Sequence, residues 1–156
     1  MFETATYVRR RQALTAALDG GLVLLPAAAP SPRVYPENTF PYRASSHLLY
    51  YTGLAEPELA LLIDVDAGTE VLYGRSRTMD DVVWCGPSDS LDQLADRAGV
   101  DEVRDIQTLA ADLRATAGSG STVHYLPPFH GEGRLLLAGG AVDDADVHLA
   151  EHDHHV

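Results

Sequence analysis

The sequence predicts an α/β domain built as a mixed β-sheet flanked by helices, and three observations carry that prediction. Short apolar runs bounded by breakers, Leu22–Pro26 and Val123–Leu126, are interleaved with segments of helical periodicity. Two further apolar runs, 59–65 and 69–73, flank Asp66-Ala67-Gly68 as the arms of a hairpin, which brings antiparallel pairing into the sheet. A length of 156 residues suits one domain, which at this size buries roughly 70% of its unfolded surface.

The elements follow in order. Residues 4 to 18 read as a helix capped by Thr4 or Thr6, with Tyr7, Leu14 and Leu18 at helical spacing and Asp19-Gly20-Gly21 as its stop. Leu22–Pro26 is wholly apolar, as expected of a strand covered on both faces. Prolines at 30, 32 and 36 make the next stretch a loop. Ser45 or Ser46 caps a short helix expected to carry Leu48, Leu49 and Tyr50 inward, with Gly53 at its exit. After the hairpin, 79–84 reads as one or two helical turns broken by Gly86-Pro87. Ser90 caps a helix through Ala98 that stops at Gly99, and Gln107 or Thr108 opens another to about Ala117. Arg134 to Ala138 suits helix or strand equally, and the acidic, histidine-rich stretch from Ala141 is expected to be poorly ordered.

Charge excludes several partners. The net charge is −12 and all 11 basic residues are arginines, so nucleic-acid phosphates would be repelled by most of the surface. Arg9-Arg10-Arg11 reads as a solvated or ion-paired helix face rather than an anion site, because three consecutive residues point three ways around a helix. No apolar run is long enough to cross a bilayer, and Met1-Phe-Glu-Thr lacks the basic-then-apolar order of a signal peptide. The single cysteine, Cys85, fits a reducing compartment, so the expected location is cytoplasmic.

Four motifs in order then identify a family. They are Tyr7-Val-Arg-Arg-Arg-Gln-Ala-Leu14; Pro41-Tyr-Arg with Ser46, Leu49-Tyr-Tyr-Thr-Gly-Leu and Glu56-Pro57; Trp84 and Gly86 after Arg75 and Arg77; and Gly99-Val100 before a helix. With them the chain resembles the N-terminal, non-catalytic domain of Xaa-Pro aminopeptidases (aminopeptidase P) and the wider creatinase and prolidase group. The resemblance covers roughly residues 5 to 130, and the second motif is the most specific. It departs from the family pattern at His47, where Asp is common, at Val82-Val83 in place of an acidic residue, and after Gly86, where an arginine often stands.

The resemblance implies a ribonuclease-H-like fold of the creatinase N-terminal type over residues 1–140, followed by an acidic, histidine-rich tail or the start of a connector over 141–156. It also implies a parent enzyme that removes an N-terminal residue preceding proline with two divalent metals, expected to be manganese, that activate water. Those ligands belong to a separate C-terminal domain that this sequence does not contain, so the chain alone is expected to carry no cofactor and no peptidase activity. The implied role is assembly and shaping of the substrate pocket, with a homo-oligomer and a catalytic domain in cis or in trans as partners. The alternative is a free-standing interaction module derived from the same domain.

Trp84 is the leading pocket residue by resemblance, because the corresponding loop reaches a neighbouring subunit's active site in oligomeric members; burial of its ring within the domain is the equal alternative. Arg43, between Tyr42 and Ala44, suits a bidentate carboxylate partner within the domain or across an interface. Cys85 reads as an inert thiol, and His47 as a capping or surface residue rather than half of a Ser-His pair. His148, His152, His154 and His155 include an i, i+4 pair, but such a set without supporting groups holds metal only adventitiously.

Overall fold

The computed structural model describes residues 2–27, 30, 33, 38–75, 89–117 and 122–126. Helix α1 spans Thr4–Thr15, strand β1 Leu22–Pro26, helix α2 Ser46–Thr52, and strands β2 and β3 Leu59–Asp64 and Thr69–Gly74. Helix α3 (Leu91–Ala98), strand β4 (Glu102–Asp105), a 3-10 turn over Ile106–Thr108, helix α4 (Leu109–Ala117) and strand β5 (Val123–Tyr125) complete the order.

Five strands form one sheet in the order β4-β3-β2-β1-β5. β2 pairs antiparallel with both β1 and β3, in register Leu24↔Leu62 and Leu61↔Leu72, and the expected hairpin closes at Asp64↔Thr69. The two outer strands run parallel to their neighbours, so the sheet is mixed. Alternation along the strands then separates two cores. Val23, Leu25, Leu61, Ile63 and Leu72 pack with Leu48 of α2 and Leu94 and Ala98 of α3. On the opposite face Leu22, Leu24, Leu62, Val71 and Tyr73 pack with Leu109 and Leu113 of α4. β1 is therefore apolar at every position because both of its faces are covered, as its sequence requires.

Local chemistry explains most boundaries. Ser90 accepts from the Gln93 amide while the Gln93 side chain accepts from the Ser90 amide, a complete capping box for α3. Asp105 caps the 3-10 turn by accepting from the Gln107 amide, so the helix expected near 107 begins as a tighter turn.

Several expectations are corrected. α1 stops at Thr15 rather than residue 18, because the Ala17 and Leu18 amides donate to carbonyls three residues back and tighten the exit towards Gly20. Neither threonine caps α1: Glu3 holds the cap position, and the Thr4 hydroxyl donates instead to the Arg97 carbonyl at 3.1 Å. In α2 only Leu48 and Thr52 are buried, while Leu49 and Tyr50 are 43% and 51% exposed. A seven-residue helix against a sheet buries positions four apart, so three consecutive residues cannot all face inward. Strand β4 was not expected, since Glu102-Val-Arg-Asp has no apolar run; its pairing with Val71–Gly74 supplies what its composition lacks. The expected turns at 79–84, the 134–138 segment and the tail from 141 lie outside the described residues. No helix of the described residues is long and apolar enough to cross a membrane.

Candidate functional site

Helix α1 sets the site. Its inward stripe is Tyr7, Arg11 and Leu14, at spacings of four and three, with an arginine in the second place, and Leu18 extends it just beyond the helix end. Arg11 is fully buried. Its Nε donates to Glu70 Oε2 at 2.8 Å, Nη1 donates to the carbonyls of Tyr51 and Ala98 at 2.9 Å each, and Nη2 donates to the Gly99 carbonyl at 2.9 Å. One cation therefore closes the carboxyl ends of both α2 and α3, where helix dipoles and unspent carbonyls favour positive charge. The ion pair allowed for in the arginine cluster exists, but in the interior rather than on a solvated face. The signal in the sequence was the stripe itself, which places residue 11 between Tyr7 and Leu14.

Arg10 points elsewhere. Its guanidinium lies 4.1 Å from the centroid of Tyr50, 4.8 Å from Phe2 and 5.6 Å from Tyr7, and its Nη1 donates to the Tyr50 carbonyl at 2.8 Å. Tyr50 in turn meets Tyr51 edge to face at 5.0 Å. Arg10, Tyr50 and Tyr51, with exposed Arg9 and Ala13 and half-buried Leu14, line a groove of about 430 Å³ between α1 and α2. Burial, then the neighbouring Tyr50, raises the Tyr51 phenol above its ordinary value, so Tyr51 presents a neutral hydroxyl at neutral pH.

The stretch from Pro41 to Pro57 is largely spent on structure. The Tyr42 hydroxyl donates to the Glu56 carbonyl at 3.3 Å, and burial followed by the Glu56 carboxylate raises its pKa. The Thr52 hydroxyl donates to the Leu48 carbonyl at 2.6 Å and accepts from the Leu54 amide at 3.1 Å. Glu56 accepts from the Ala55 amide at 2.8 Å and from Arg97 Nη1 at 3.3 Å. Arg97 also pairs with Asp89, which ties this stretch to the start of α3. Ser45 occupies the cap position of α2 without a side-chain cap bond.

The residues singled out from sequence are not brought together. Arg43 is exposed and has no carboxylate partner among the described residues. His47 is half-buried on the first turn of α2. Trp84, Cys85, His148, His152, His154 and His155 lie outside the described residues. Among the described residues no group of three or more His, Cys, Asp or Glu is arranged to hold a metal ion, so they offer nothing that fits a two-metal centre and no metal-assisted step is derived from them. Sequence reasoning missed Arg10 and Arg11 as individuals, having treated the three arginines as one cluster.

Comparison with known proteins places this arrangement. The family model described as aminopeptidase P, N-terminal domain, matches residues 7–124. Xaa-Pro aminopeptidase of Escherichia coli is 28% identical over 142 residues, which is 89% of this chain and 31% of that protein. The Haemophilus influenzae Xaa-Pro aminopeptidase is 25% identical over 111 residues, 70% of this chain and 26% of its own length. A solved histidine-to-alanine variant of E. coli aminopeptidase P superposes with a TM-score of 0.76 at 25% identity, covering 89% of this chain and 32% of that one. The low-pH form of the same enzyme gives 0.74 at 24% identity over 90% of this chain and 32% of that one, a likeness of fold. The chain thus spans about a third of the E. coli relative it matches.

Proposed function

Because this chain belongs to the aminopeptidase P N-terminal domain family, we propose that it serves as the non-catalytic N-terminal domain of an Xaa-Pro aminopeptidase, acting in assembly and in shaping the substrate pocket. The observation that carries this reading is how the family's most characteristic stretch is used. Its Tyr42, Thr52 and Glu56 side chains are committed to internal bonds, while Leu49 and Tyr50 stand half-exposed on one short helix. Large side chains displayed side by side at the surface in this way are what a protein–protein contact buries.

On this reading, peptide hydrolysis belongs to a separate metal-binding domain, in cis or in trans, with two divalent ions, manganese in the first instance, supplying the activated water. Trp84 is assigned to the pocket or its interface. Arg43, exposed and without a partner among the described residues, is assigned to a carboxylate across that interface. The cytoplasm is the proposed compartment.

Sedimentation of the purified chain over a range of concentrations tests the assembly role. Self-association that Leu49→Glu with Tyr50→Ser abolishes, at unchanged stability, is the expected result. A monomer at every concentration removes this face from assembly.

A further inference from the structure

Unmatched charge singles out the groove between α1 and α2. Among the described residues Arg11, Arg75, Arg97 and Arg104 are each paired with a carboxylate, whereas Arg9 and Arg10, which line this groove, have no carboxylate partner. Arg9 is exposed and makes no hydrogen bond or ion pair among the described residues. Arg10 is half-buried, lies over the rings of Tyr50 and Phe2, and spends only Nη1, on the Tyr50 carbonyl. Its Nε and Nη2, uncommitted among the described residues, are the two parallel donors along one edge of the guanidinium, the pair that matches both oxygens of a carboxylate. Because Nη1 and the flat face are already held, little side-chain entropy is left to lose when a carboxylate arrives.

The rest of the lining sets what the carboxylate is attached to. Ala13 and Leu14 each follow one of the two arginines by a turn of α1, and Tyr50 and Tyr51 line the same groove from α2, so apolar and aromatic surface adjoins both cations. A volume of about 430 Å³ is that of a small-ligand cleft. Two cations beside a leucine and two tyrosines complement two carboxylates that flank an aliphatic side chain. We propose that the α1–α2 groove binds a short acidic peptide segment of a partner protein, with one carboxylate bidentate on Arg10, a second on Arg9, and the intervening aliphatic side chain against Leu14 and the two tyrosines. A net charge of −12 repels such a segment from the remainder of the surface and leaves the groove as its favoured station. Assembly is not required: a monomeric chain can fill the groove.

The test titrates the isotopically labelled full chain with a peptide blocked at both ends in which two glutamates flank one leucine, and with the same peptide carrying glutamine in place of both glutamates. Backbone amide resonances of Thr6 to Leu14 and of Tyr50 and Tyr51 are followed at about 0.15 M salt, where charges more than about 8 Å apart are largely screened. The expected result is a set of saturable shifts confined to those amides with the glutamate peptide below about 10 mM, and none with the glutamine peptide. Arg9→Ala is expected to weaken binding about two- to fivefold, and Arg10→Lys, which keeps the charge but not the paired donors, by at least as much. Saturation by both peptides alike, shifts centred on another face, no saturable shift, or undiminished affinity in both variants overturns the proposal. So do shifts at these amides that grow with the chain's own concentration in the absence of peptide, which would assign the groove to a second copy.

Discussion

Gly53 stands directly against the ring of Tyr7: a Cβ built at Gly53 would lie 2.4 Å from Tyr7 Cζ. The glycine follows α2 with φ +74°, and Tyr7 is a buried residue of α1, so two of the family's motifs meet at this point of contact. Gly53→Ala carries both a left-handed backbone penalty and an overpacking penalty, together about 2–4 kcal/mol. Gly68 in the β2–β3 turn has φ +67° with nothing within 4 Å of its Cβ position, so Gly68→Ala pays the backbone cost alone, about 1–2 kcal/mol. Urea denaturation of the two variants checks the difference, and equal losses would mean that Tyr7 gives way freely.

Arg11 predicts a second asymmetry, between neighbours in sequence. Arg11→Met leaves carbonyls of Tyr51, Ala98 and Gly99 without their donor and Glu70 without its cation, and is expected to cost about 3 kcal/mol or more. Arg11→Lys retains charge but cannot present donors in three directions from one plane, so it recovers only part of that loss. Arg9→Ala, at an exposed position, stays within about 0.5 kcal/mol. Denaturation midpoints of the three variants decide whether one arginine of the cluster holds the two helix ends.

Stability is expected to fall at both pH extremes through one cluster. The Tyr73 hydroxyl donates to Asp112 Oδ2 at 2.7 Å and Arg104 Nη1 donates to the same oxygen at 2.9 Å. These bonds, that from Tyr73 foremost, hold the Asp112 carboxyl below its usual 3.8, so its contribution is complete above about pH 4 and is lost as the pH drops further. Burial, then the bond to Asp112, pushes the Tyr73 phenol well above its usual 10.0, so that contribution is complete below about pH 10 and disappears as the pH rises beyond it. Asp112→Asn should flatten the acid limb and Tyr73→Phe the alkaline limb in urea midpoints measured across pH. Unchanged limbs would remove the cluster from the linkage.

Much of the fold was legible because its signals are local. Leu22–Pro26 announces a strand covered on both faces, Asp66-Ala67-Gly68 its hairpin, and Ser90 with Gln93 a helix start. What escaped depends on partners distant in sequence. β4 is a strand only because β3 lies beside it, and Leu49 and Tyr50 turn outward because Leu48 and Thr52 already fill the inward face of a seven-residue helix. Arg11 looked like one of three surface charges; its burial requires two helix ends and Glu70 to converge from positions 40 to 88 residues away. The family was legible from the stretch around Pro41–Pro57, yet that stretch is mostly scaffold, which is why the motif residues did not predict the groove.

The central claim, a domain that lacks peptidase chemistry of its own, is tested most directly by incubating the purified chain with manganese and a peptide whose second residue is proline, and following release of the first residue. The account predicts no release above the metal-only background at any chain concentration. Release that rises in proportion to the chain and is lost on chelation would contradict it.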